Sequence, residues 1–228
     1  MKAVVLLSGG LDSATVAAIA KAQEYELHAL SFNYGQRHSV ELKAAIRVAN
    51  DLGILDHRVF PLNMRLLTKS SLVGTSEVPV DRPIEEISEG IPSTYVPSRN
   101  IIFLSLASAF AATLETRVIF LGVNQLDYSG YPDCRGEFLS AYEKALNVGT
   151  ELGLQSPWEI KAPLLNSTKA EIIRMGTDLG VDYSRTVSCY QAVQNEEGKA
   201  VACGRCDSCL LRKKGFAEAG IPDPTLYA

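Results

Sequence analysis

Ser8-Gly9-Gly10-Leu11-Asp12-Ser13 follows an apolar run, Ala3-Val4-Val5-Leu6-Leu7, and precedes a segment of small residues, 14–20. The apolar run predicts a buried parallel strand, and the small-residue segment predicts a helix. The first N–H groups of a helix lack intrahelical partners and lie at the positive end of its dipole, so anions bind there. Because the two glycines allow close backbone approach and the two serines supply hydroxyls, the stretch predicts a phosphate site.

Asp12 is the unusual member of this loop, because a carboxylate repels phosphate unless a cation such as Mg²⁺ lies between them. The stretch lacks the lysine of the Gly-x-x-x-x-Gly-Lys-Ser/Thr loop and the Gly-x-Gly-x-x-Gly dinucleotide pattern. It resembles instead the PP-loop of the ATP pyrophosphatases, Ser-Gly-Gly-x-Asp-Ser. That resemblance implies cleavage of ATP between its α and β phosphates and adenylation of a substrate oxygen. An ordinary glycine-rich turn before a helix is the alternative.

Composition sets limits on the class of protein. The chain has 228 residues, of which 46% are hydrophobic and 21% charged, which is typical of a soluble globular protein. A net charge of −4 offers no general electrostatic reason to bind nucleic acid. The basic cluster Arg212-Lys213-Lys214 favours a solvated helix face over an RNA site. The longest uncharged apolar run, 101–114, is too short to span a bilayer, and residues 1–5 predict a strand rather than a secretory signal. We therefore expect a cytoplasmic protein with neither a membrane nor a nucleic acid as partner.

Strand-like and helix-like segments alternate along the chain, which predicts an α/β fold with a doubly wound, mostly parallel, Rossmann-like sheet of five strands. The predicted strands are 3–7, 26–32, 57–60, 117–123 and 158–161, and the predicted helices are 14–20, 39–52, 100–114, 137–152 and 168–179, the last capped by Ser167 or Thr168. Ligands of such sheets bind beyond the carboxyl ends of the strands. The loops expected around one crevice are therefore 8–13, 33–38, 97–100, 124–135 and 161–169.

Two parts of the chain interrupt this pattern. Residues 61–98 are rich in proline and acidic side chains, and predict either an active-site lid or a solvated insertion. The C-terminal part has little apolar sequence and most of the cysteines. We therefore predict a nucleotide-binding domain over 1–185 and a small metal-binding module over 186–228, packed on it.

Four of the five cysteines form the pattern Cys189-x13-Cys203-x2-Cys206-x2-Cys209. Four thiolates make a closed tetrahedral site with no open position, so the pattern predicts one structural Zn²⁺ per chain. An iron–sulfur cluster is the alternative, because Cys-x2-Cys-x2-Cys also occurs in ferredoxin-type runs. The fifth, Cys134, is either a small buried side chain or a nucleophile activated by Arg135.

Several charged or polar residues fall at predicted strand ends and helix starts. Arg99 offers bidentate contacts to phosphate or carboxylate, with a surface ion pair as the alternative, and Asn100 is either a ligand contact or a helix cap. Lys161 ends a buried strand on the expected crevice side. Lys169 begins a helix, where a cation opposes the dipole unless an anion binds nearby.

Asp127 and Asp133 lie in the loop after the strand 117–123. A carboxylate there can accept hydrogen bonds from the amino and ring N–H groups of a guanine-like base. Turn-forming residues are the alternative at both positions.

Longer segments narrow the identification. Together with the glycine loop and the four cysteines, they resemble the 7-cyano-7-deazaguanine synthase family over residues 3 to about 225. The segments that carry this resemblance are Phe32-Asn33-Tyr34-Gly35-Gln36-Arg37-His38, Val96-Pro97-Ser98-Arg99-Asn100 and Tyr128-Ser129-Gly130-Tyr131-Pro132-Asp133-Cys134-Arg135.

This resemblance implies a fold like that of the adenine nucleotide alpha hydrolases and an ATP-dependent ligase that forms C–N bonds. The enzyme would convert 7-carboxy-7-deazaguanine and ammonia into the nitrile 7-cyano-7-deazaguanine, a step toward the tRNA base queuosine. It also implies zinc on Cys189, Cys203, Cys206 and Cys209. Nucleotide binding is implied for Ser8, Gly9, Gly10, Leu11, Asp12, Ser13, Ala14, Thr15, Val16, Ala17 and Ala18.

The remaining predictions concern roles and partners. We assign catalysis to Asp12, Arg99 and Lys161, and an additional nucleotide contact to Lys169. The predicted substrate contacts are Asn100, Asp127, Asp133 and Arg135. A homodimer is expected, with ATP and Mg²⁺ as co-substrate. Two other classes stay open: a tRNA-thiolating PP-loop enzyme that uses Cys134, and a non-catalytic ATP-binding module.

Overall fold

The computed structural model describes residues 1–35, 40–68, 70–74, 76–87, 90–126 and 131–228. Its main sheet has five parallel strands in the order β3-β2-β1-β4-β5. The strands are β1 (Lys2–Leu6), β2 (Glu26–Asn33), β3 (Asp56–Pro61), β4 (Val118–Phe120) and β5 (Glu159–Lys161). This order, with the chain winding outward from β1 in both directions, confirms the predicted doubly wound sheet.

Helices connect these strands. They are α1 (Leu11–Ala22), α2 (Val40–Asp51), α3 (Ile84–Ile87), α4 (Arg99–Thr113), α5 (Gly136–Gly149), α6 (Glu151–Gln155), α7 (Lys169–Asp178) and α8 (Asp207–Ala219). A short antiparallel hairpin, β6 (Val193–Gln194) and β7 (Ala200–Val201), lies in the C-terminal part. The predicted helix 137–152 is divided at Thr150, which caps α6 by accepting a hydrogen bond from the Gly153 amide.

Alternate side chains of the strands pack on opposite faces of the sheet, as the two-residue period of a strand requires. In β1, Ala3 and Val5 face a core shared with α1, α2, α7 and α8. Val4 faces the other core, formed with α4 and α5. Because helices cover both faces of the sheet, a site is expected at the carboxyl ends of the strands, which the helices do not cover.

Among the described residues of 61–98, the regular helices are a 3-10 turn, Met64–Leu66, and the single-turn helix α3. The described part is nevertheless packed, because Met64 and Leu72 belong to a small apolar core. Hydrogen bonds tie it to the C-terminal part: the Asp81 amide donates to the Arg205 carbonyl at 2.9 Å, and Arg82 pairs with the buried Asp207 carboxylate at 3.0 Å. Across the described ranges, no helix is both long and apolar enough to cross a bilayer.

Candidate active site

A cavity of about 260 Å³ opens where β1, β2 and β4 end. The loop 8–13 lines it, as do Tyr34, Arg99 and Asn100, with Asn124 and Cys134 from the chain after β4. This is the position where the connections leave β1 and β4 for opposite faces of the sheet, and where α/β sheets bind ligands. Four of the five predicted loops thus contribute to one cavity, whereas no residue of 161–169 is part of its lining.

The loop 8–13 places the start of α1 at this cavity. Gly10 is the N-cap of α1, and the Ser13 hydroxyl accepts a hydrogen bond from the Ser8 amide at 3.2 Å and lies 3.0 Å from the Ser8 hydroxyl. The first amides of α1 therefore meet the cavity beside two hydroxyl groups. Such a set of donors fits phosphate oxygens.

Two glycines let other backbone approach this loop. Gly9 has a φ of +85°, and a Cβ there would lie 2.3 Å from the Glu41 carbonyl oxygen and 2.6 Å from the Ala45 amide nitrogen. A Cβ on Gly122, just after β4, would lie 3.0 Å from the Ser13 amide nitrogen. The loop is therefore clamped between α2 and the end of β4, and side chains at these glycines would separate them.

Asp12 and Lys169 form an ion pair inside the protein. The Lys169 Nζ lies 2.7 Å and 2.9 Å from the two Asp12 carboxylate oxygens, and the side chains are only 22% and 11% exposed respectively. The capping box of Thr168 and Glu171 fixes the start of α7 and hence the position of Lys169, which confirms Thr168 as a predicted cap. Lys169 thus compensates the carboxylate that is unusual in a phosphate loop.

Opposite the loop, the start of α4 is built from distant residues. Its N-cap, Ser98, has a left-handed φ of +59° and makes no capping hydrogen bond with its side chain. Instead the Asp133 carboxylate accepts the Asn100 backbone N–H at 3.0 Å. The Asn100 side chain donates to the Asp133 carbonyl at 3.0 Å and to the Cys134 sulfur at 3.2 Å. These contacts orient the first turn of α4, which carries Arg99 into the cavity lining.

This arrangement changes the predicted roles in the wall. Asn100 is one residue inside the helix rather than its cap, since α4 begins at Arg99. The Asp133 carboxylate is buried against α4 and is not part of the cavity lining. Its position supports a role in holding the helix start rather than a contact with substrate.

Burial controls the protonation of the remaining wall residues. It raises the pKa of the Cys134 thiol to about 11, although the Arg99 charge opposes the shift. It raises the pKa of Tyr34 to about 12, an effect that the charge of Arg99 and a hydrogen bond from it partly offset. Both groups are therefore protonated at neutral pH. A protonated Cys134 gives no support to the nucleophile alternative.

Three predicted residues lie away from the cavity or outside the described part of the chain. Lys161 pairs with Glu159 at 2.8 Å and lies near the Tyr25 ring, because the pleat directs it to the sheet face opposite Ile160. Arg135 is exposed at the start of α5. Neither residue is part of the cavity lining. Asp127 lies outside the described residues.

The four predicted metal-ligating cysteines converge, with all their sulfur atoms within 4.8 Å of one another. Backbone amides point at these sulfurs: Cys203 N–H donates to Cys189 at 3.2 Å, and Tyr190 N–H donates to Cys206 at 3.4 Å. Hydrogen bonds with the Cys189 and Cys209 side chains, and from the Tyr190 amide, lower the pKa of Cys206. Four sulfurs with amide donors around them fit a closed metal site.

The cysteine cluster also contacts the glycine loop, a connection that the sequence did not predict. Val187 N–H donates to the Gly9 carbonyl at 2.9 Å, and the Ser188 hydroxyl accepts the Leu11 N–H at 3.3 Å. Cys189 itself lines the cavity. The four-cysteine cluster therefore adjoins a segment that forms one side of the candidate active site.

Arg212 stabilises this segment from behind. It is 1% exposed, so the predicted solvated face is wrong at this position. Its guanidinium donates to the Thr186 hydroxyl at 2.8 Å and to the Tyr183 carbonyl at 3.1 Å, and pairs with Asp223 at 3.1 Å. Asp223 lies after the end of α8, and the basic run Arg212-Lys213-Lys214 does not predict this ion pair.

Known proteins resemble this chain along nearly its whole length. The family model described as "Queuosine biosynthesis protein QueC" matches residues 2–220. A 7-cyano-7-deazaguanine synthase of Pseudomonas fluorescens (strain Pf0-1) is 55% identical over 99% of this chain and 95% of that protein. Another, from Hydrogenovibrio crunogenus (strain DSM 25203 / XCL-2), is 56% identical over 100% of this chain and 96% of that protein.

A solved structure supports the fold alone. A 4-thiouridine synthetase–RNA complex with bound ATP has a TM-score of 0.52 at 18% identity, covering 95% of this chain and 53% of that chain. Together, the strand order and the glycine loop define a nucleotide-binding α/β protein of the PP-loop type. Within that class, the chain belongs to the family of QueC queuosine biosynthesis proteins. The resemblance expected from the sequence is confirmed, and it favours the synthase over the RNA-thiolating and non-catalytic alternatives.

Proposed function

We propose that this protein converts 7-carboxy-7-deazaguanine and ammonia into 7-cyano-7-deazaguanine with ATP as co-substrate. The observation that carries the proposal is the shared cavity: in a chain of the QueC family, the PP-loop and Arg99 line the same space. The PP-loop would bind phosphate, and the Arg99 guanidinium would bind a carboxylate or phosphate. Their common cavity fits a reaction that joins the two groups.

A carboxylate needs activation before it reacts with ammonia, because oxide is a very poor leaving group. In the proposed first step, a carboxylate oxygen of the substrate attacks the α-phosphorus of ATP, and pyrophosphate leaves. The amides at the start of α1, with the hydroxyls of Ser8 and Ser13, stabilise the charge that develops on the phosphates. Magnesium bound with ATP would add positive charge there, and Asp12 is the loop carboxylate that would hold it.

Ammonia then displaces AMP from the acyl adenylate and leaves an amide. A second adenylation, on the amide oxygen, makes AMP the leaving group again, and elimination gives the nitrile. One loop can serve both activations because each places the reacting oxygen at the same α-phosphorus. The stoichiometry is therefore two ATP consumed and two AMP released for each nitrile.

Arg99 is the group proposed to hold the substrate carboxylate in line with the α-phosphorus. Its position rests on the hydrogen bonds that Asp133 and Asn100 make at the start of α4. Lys169, already paired with Asp12, is proposed to contact the pyrophosphate. Lys161 was predicted to take part in catalysis, but its pairing with Glu159 outside the cavity lining does not support that role.

Zinc is the proposed metal of the four-cysteine site, which the closed all-thiolate donor set supports. Its role would be structural, because four protein ligands leave no position for substrate. A homodimer and a cytoplasmic location complete the proposal. Light scattering and elemental analysis of the purified protein test the oligomer and the metal.

The activity is tested by incubating the protein with 7-carboxy-7-deazaguanine, ATP, Mg²⁺ and ammonium, with product analysis by mass spectrometry. We expect the nitrile, together with AMP and pyrophosphate. An Arg99→Lys variant keeps the charge but loses the bidentate geometry, so it should have a higher KM for the carboxylate than the native protein. Absence of nitrile with metal-replete protein would contradict the proposal, and ADP with phosphate as the only nucleotide products would contradict adenylation.

A further inference from the structure

Glu41 has no role in the reaction as derived above, although it lines the cavity together with the loop 8–13 and Arg99. It lies in the first turn of α2, and the close approach of α2 to Gly9 fixes its backbone beside the loop. Nothing in the sequence distinguishes it from the other glutamates. The structure thus places a carboxylate at the cavity where phosphate chemistry alone would favour none.

The surroundings of Glu41 favour proton exchange near neutral pH. Burial raises its pKa to about 7, with the Arg99 charge opposing the shift and Cys206 adding to it. Tyr34 lines the same cavity, and the charge of Glu41 contributes to the raised pKa of Tyr34. A carboxylate in this range can both accept a proton and release it to solvent, which suits a general base.

The proposed reaction needs such a group. At neutral pH most ammonia is present as ammonium, which has no lone pair with which to attack. The nitrogen must then lose its remaining protons before it can form the triple bond of a nitrile. None of the groups assigned so far accepts these protons: Arg99 and Lys169 are cations, and the carboxylate of Asp12 is bonded to Lys169.

We propose that Glu41 accepts the nitrogen protons in the amide-forming and nitrile-forming steps, an inference that rests on the proposed function. It first takes a proton from ammonium, which frees ammonia. Ammonia attacks the acyl carbon: the C–N bond forms, the C–O bond to AMP breaks, and the nitrogen releases one proton.

After adenylation of the amide oxygen, the nitrogen loses its last two protons in turn. The final C–O bond breaks with its electron pair leaving on AMP, and the carbon–nitrogen triple bond is complete. Every proton that Glu41 accepts passes to solvent before the next transfer, so the carboxylate is regenerated. No oxidant or further co-reactant is needed.

Glu41→Gln separates this role from nucleotide binding. Exchange of labelled pyrophosphate into ATP, driven by 7-carboxy-7-deazaguanine without ammonia, reports adenylation alone and should stay within about 3-fold of the native rate. Amide and nitrile formation should fall by at least about 100-fold at neutral pH, as is typical for loss of a general base. Hydroxylamine, which is uncharged at neutral pH, should still trap the acyl adenylate as a hydroxamate.

The rise of free ammonia with pH provides a second signature. Amide formation by Glu41→Gln should recover progressively as the pH increases, and Glu41→Asp should retain part of the native activity. Glu137→Gln is the matched control, because Glu137 is an exposed carboxylate in the first turn of α5. Its amide formation should equal that of the native protein, and thermal unfolding should verify that each variant is folded.

Two outcomes would overturn the inference. Native amide formation in Glu41→Gln would show that no proton acceptor is needed there. A parallel loss of pyrophosphate exchange and amide formation would place Glu41 in nucleotide or magnesium binding instead. Failure of the proposed function is recognised separately, since the native protein itself would then show neither carboxylate-dependent exchange nor nitrile.

Discussion

The two sides of the cavity are built in different ways. The nucleotide side consists of consecutive residues, 8–13, which present backbone amides and two serine hydroxyls at the start of one helix. The rest of the wall takes Glu41 from α2, Arg99 from α4 and Cys134 from the chain after β4. The first is a local structure and the second is an assembly of distant ones. Substitutions on the two sides should therefore have different effects. Those in the glycine loop should abolish all reactions of ATP, whereas those in the rest of the wall should impair particular steps.

The largest expected effect comes from the four-cysteine cluster, which packs against α2 and whose neighbouring residues 187 and 188 contact the glycine loop. Cys206→Ser removes a thiolate ligand, so we expect loss of the bound metal and a fall in the free energy of unfolding by more than about 4 kcal/mol. ATP should bind more weakly as well, because residues 187 and 188 contact the glycine loop. Elemental analysis, denaturant unfolding and calorimetric titration with ATP measure these effects. Native ATP affinity in a metal-free, folded variant would show that the two sites are independent.

A pair of glycine substitutions tests how tightly the local side is held. Gly9→Ala adds a Cβ at a φ of +85°, 2.3 Å from the Glu41 carbonyl oxygen, and should cost about 3 kcal/mol in unfolding free energy. Gly10→Ala is the control, since its φ is −82° and its nearest neighbour would lie at 3.4 Å. It should change the free energy by less than about 0.5 kcal/mol. Equal effects of the two substitutions would contradict the described approach of α2 to the loop.

The pH dependence of stability tests the surroundings of Glu41 without any substrate. The pKa of Glu41 is raised from 4.5 to about 7 in the folded protein, so folding favours its protonated form. Its contribution to stability is present below pH 4.5 and is lost as the pH rises through about 7. The free energy of unfolding of Glu41→Gln should therefore decline less over this interval than that of the native protein, by about 2 kcal/mol. Urea unfolding at several pH values measures the difference. Parallel curves for the two proteins would contradict the raised pKa of the half-buried Glu41.

The smallest effect is expected at Cys134. Because burial keeps its thiol protonated, with a pKa of about 11, Cys134→Ala removes one weak hydrogen bond with Asn100 and a small volume. We expect a loss of about 1 kcal/mol in stability and nitrile formation within about 3-fold of the native rate. Inactivation of a folded Cys134→Ala protein would revive the RNA-thiolating alternative.

The sequence predicted the parts of the molecule that depend on neighbouring residues. The strand before the glycine loop, the cap at Thr168 and the four cysteines follow from local patterns, and the structure places each of them as expected. The prediction of one continuous helix over 137–152 was wrong, because Thr150 is the N-cap of a second helix, α6. Residues on both sides of Thr150 favour a helix, and no local sequence pattern indicated a break between them.

The rest of the cavity wall could be predicted only in part. Arg99 was identified by its position before a helix, but the pairing of Asp133 with the Asn100 amide joins residues from α4 and the chain after β4. Lys161 was expected on the crevice side, but it lies outside the cavity lining. The direction of a side chain at a strand end depends on the pleat, which the sequence leaves undefined. The sequence did not predict Glu41 as a site residue, because only the approach of α2 to Gly9 brings it to the cavity.

The central claim is that the substrate oxygen is activated by adenylation, and isotope transfer tests it most directly. 7-Carboxy-7-deazaguanine labelled with ¹⁸O in both carboxylate oxygens is converted in the presence of ATP and ammonium, and the nucleotides are analysed by mass spectrometry. Adenylation at both steps should place both labelled oxygens in the phosphate groups of AMP, one in each of two AMP molecules for every nitrile formed. Labelled inorganic phosphate or labelled water, with unlabelled AMP, would contradict it.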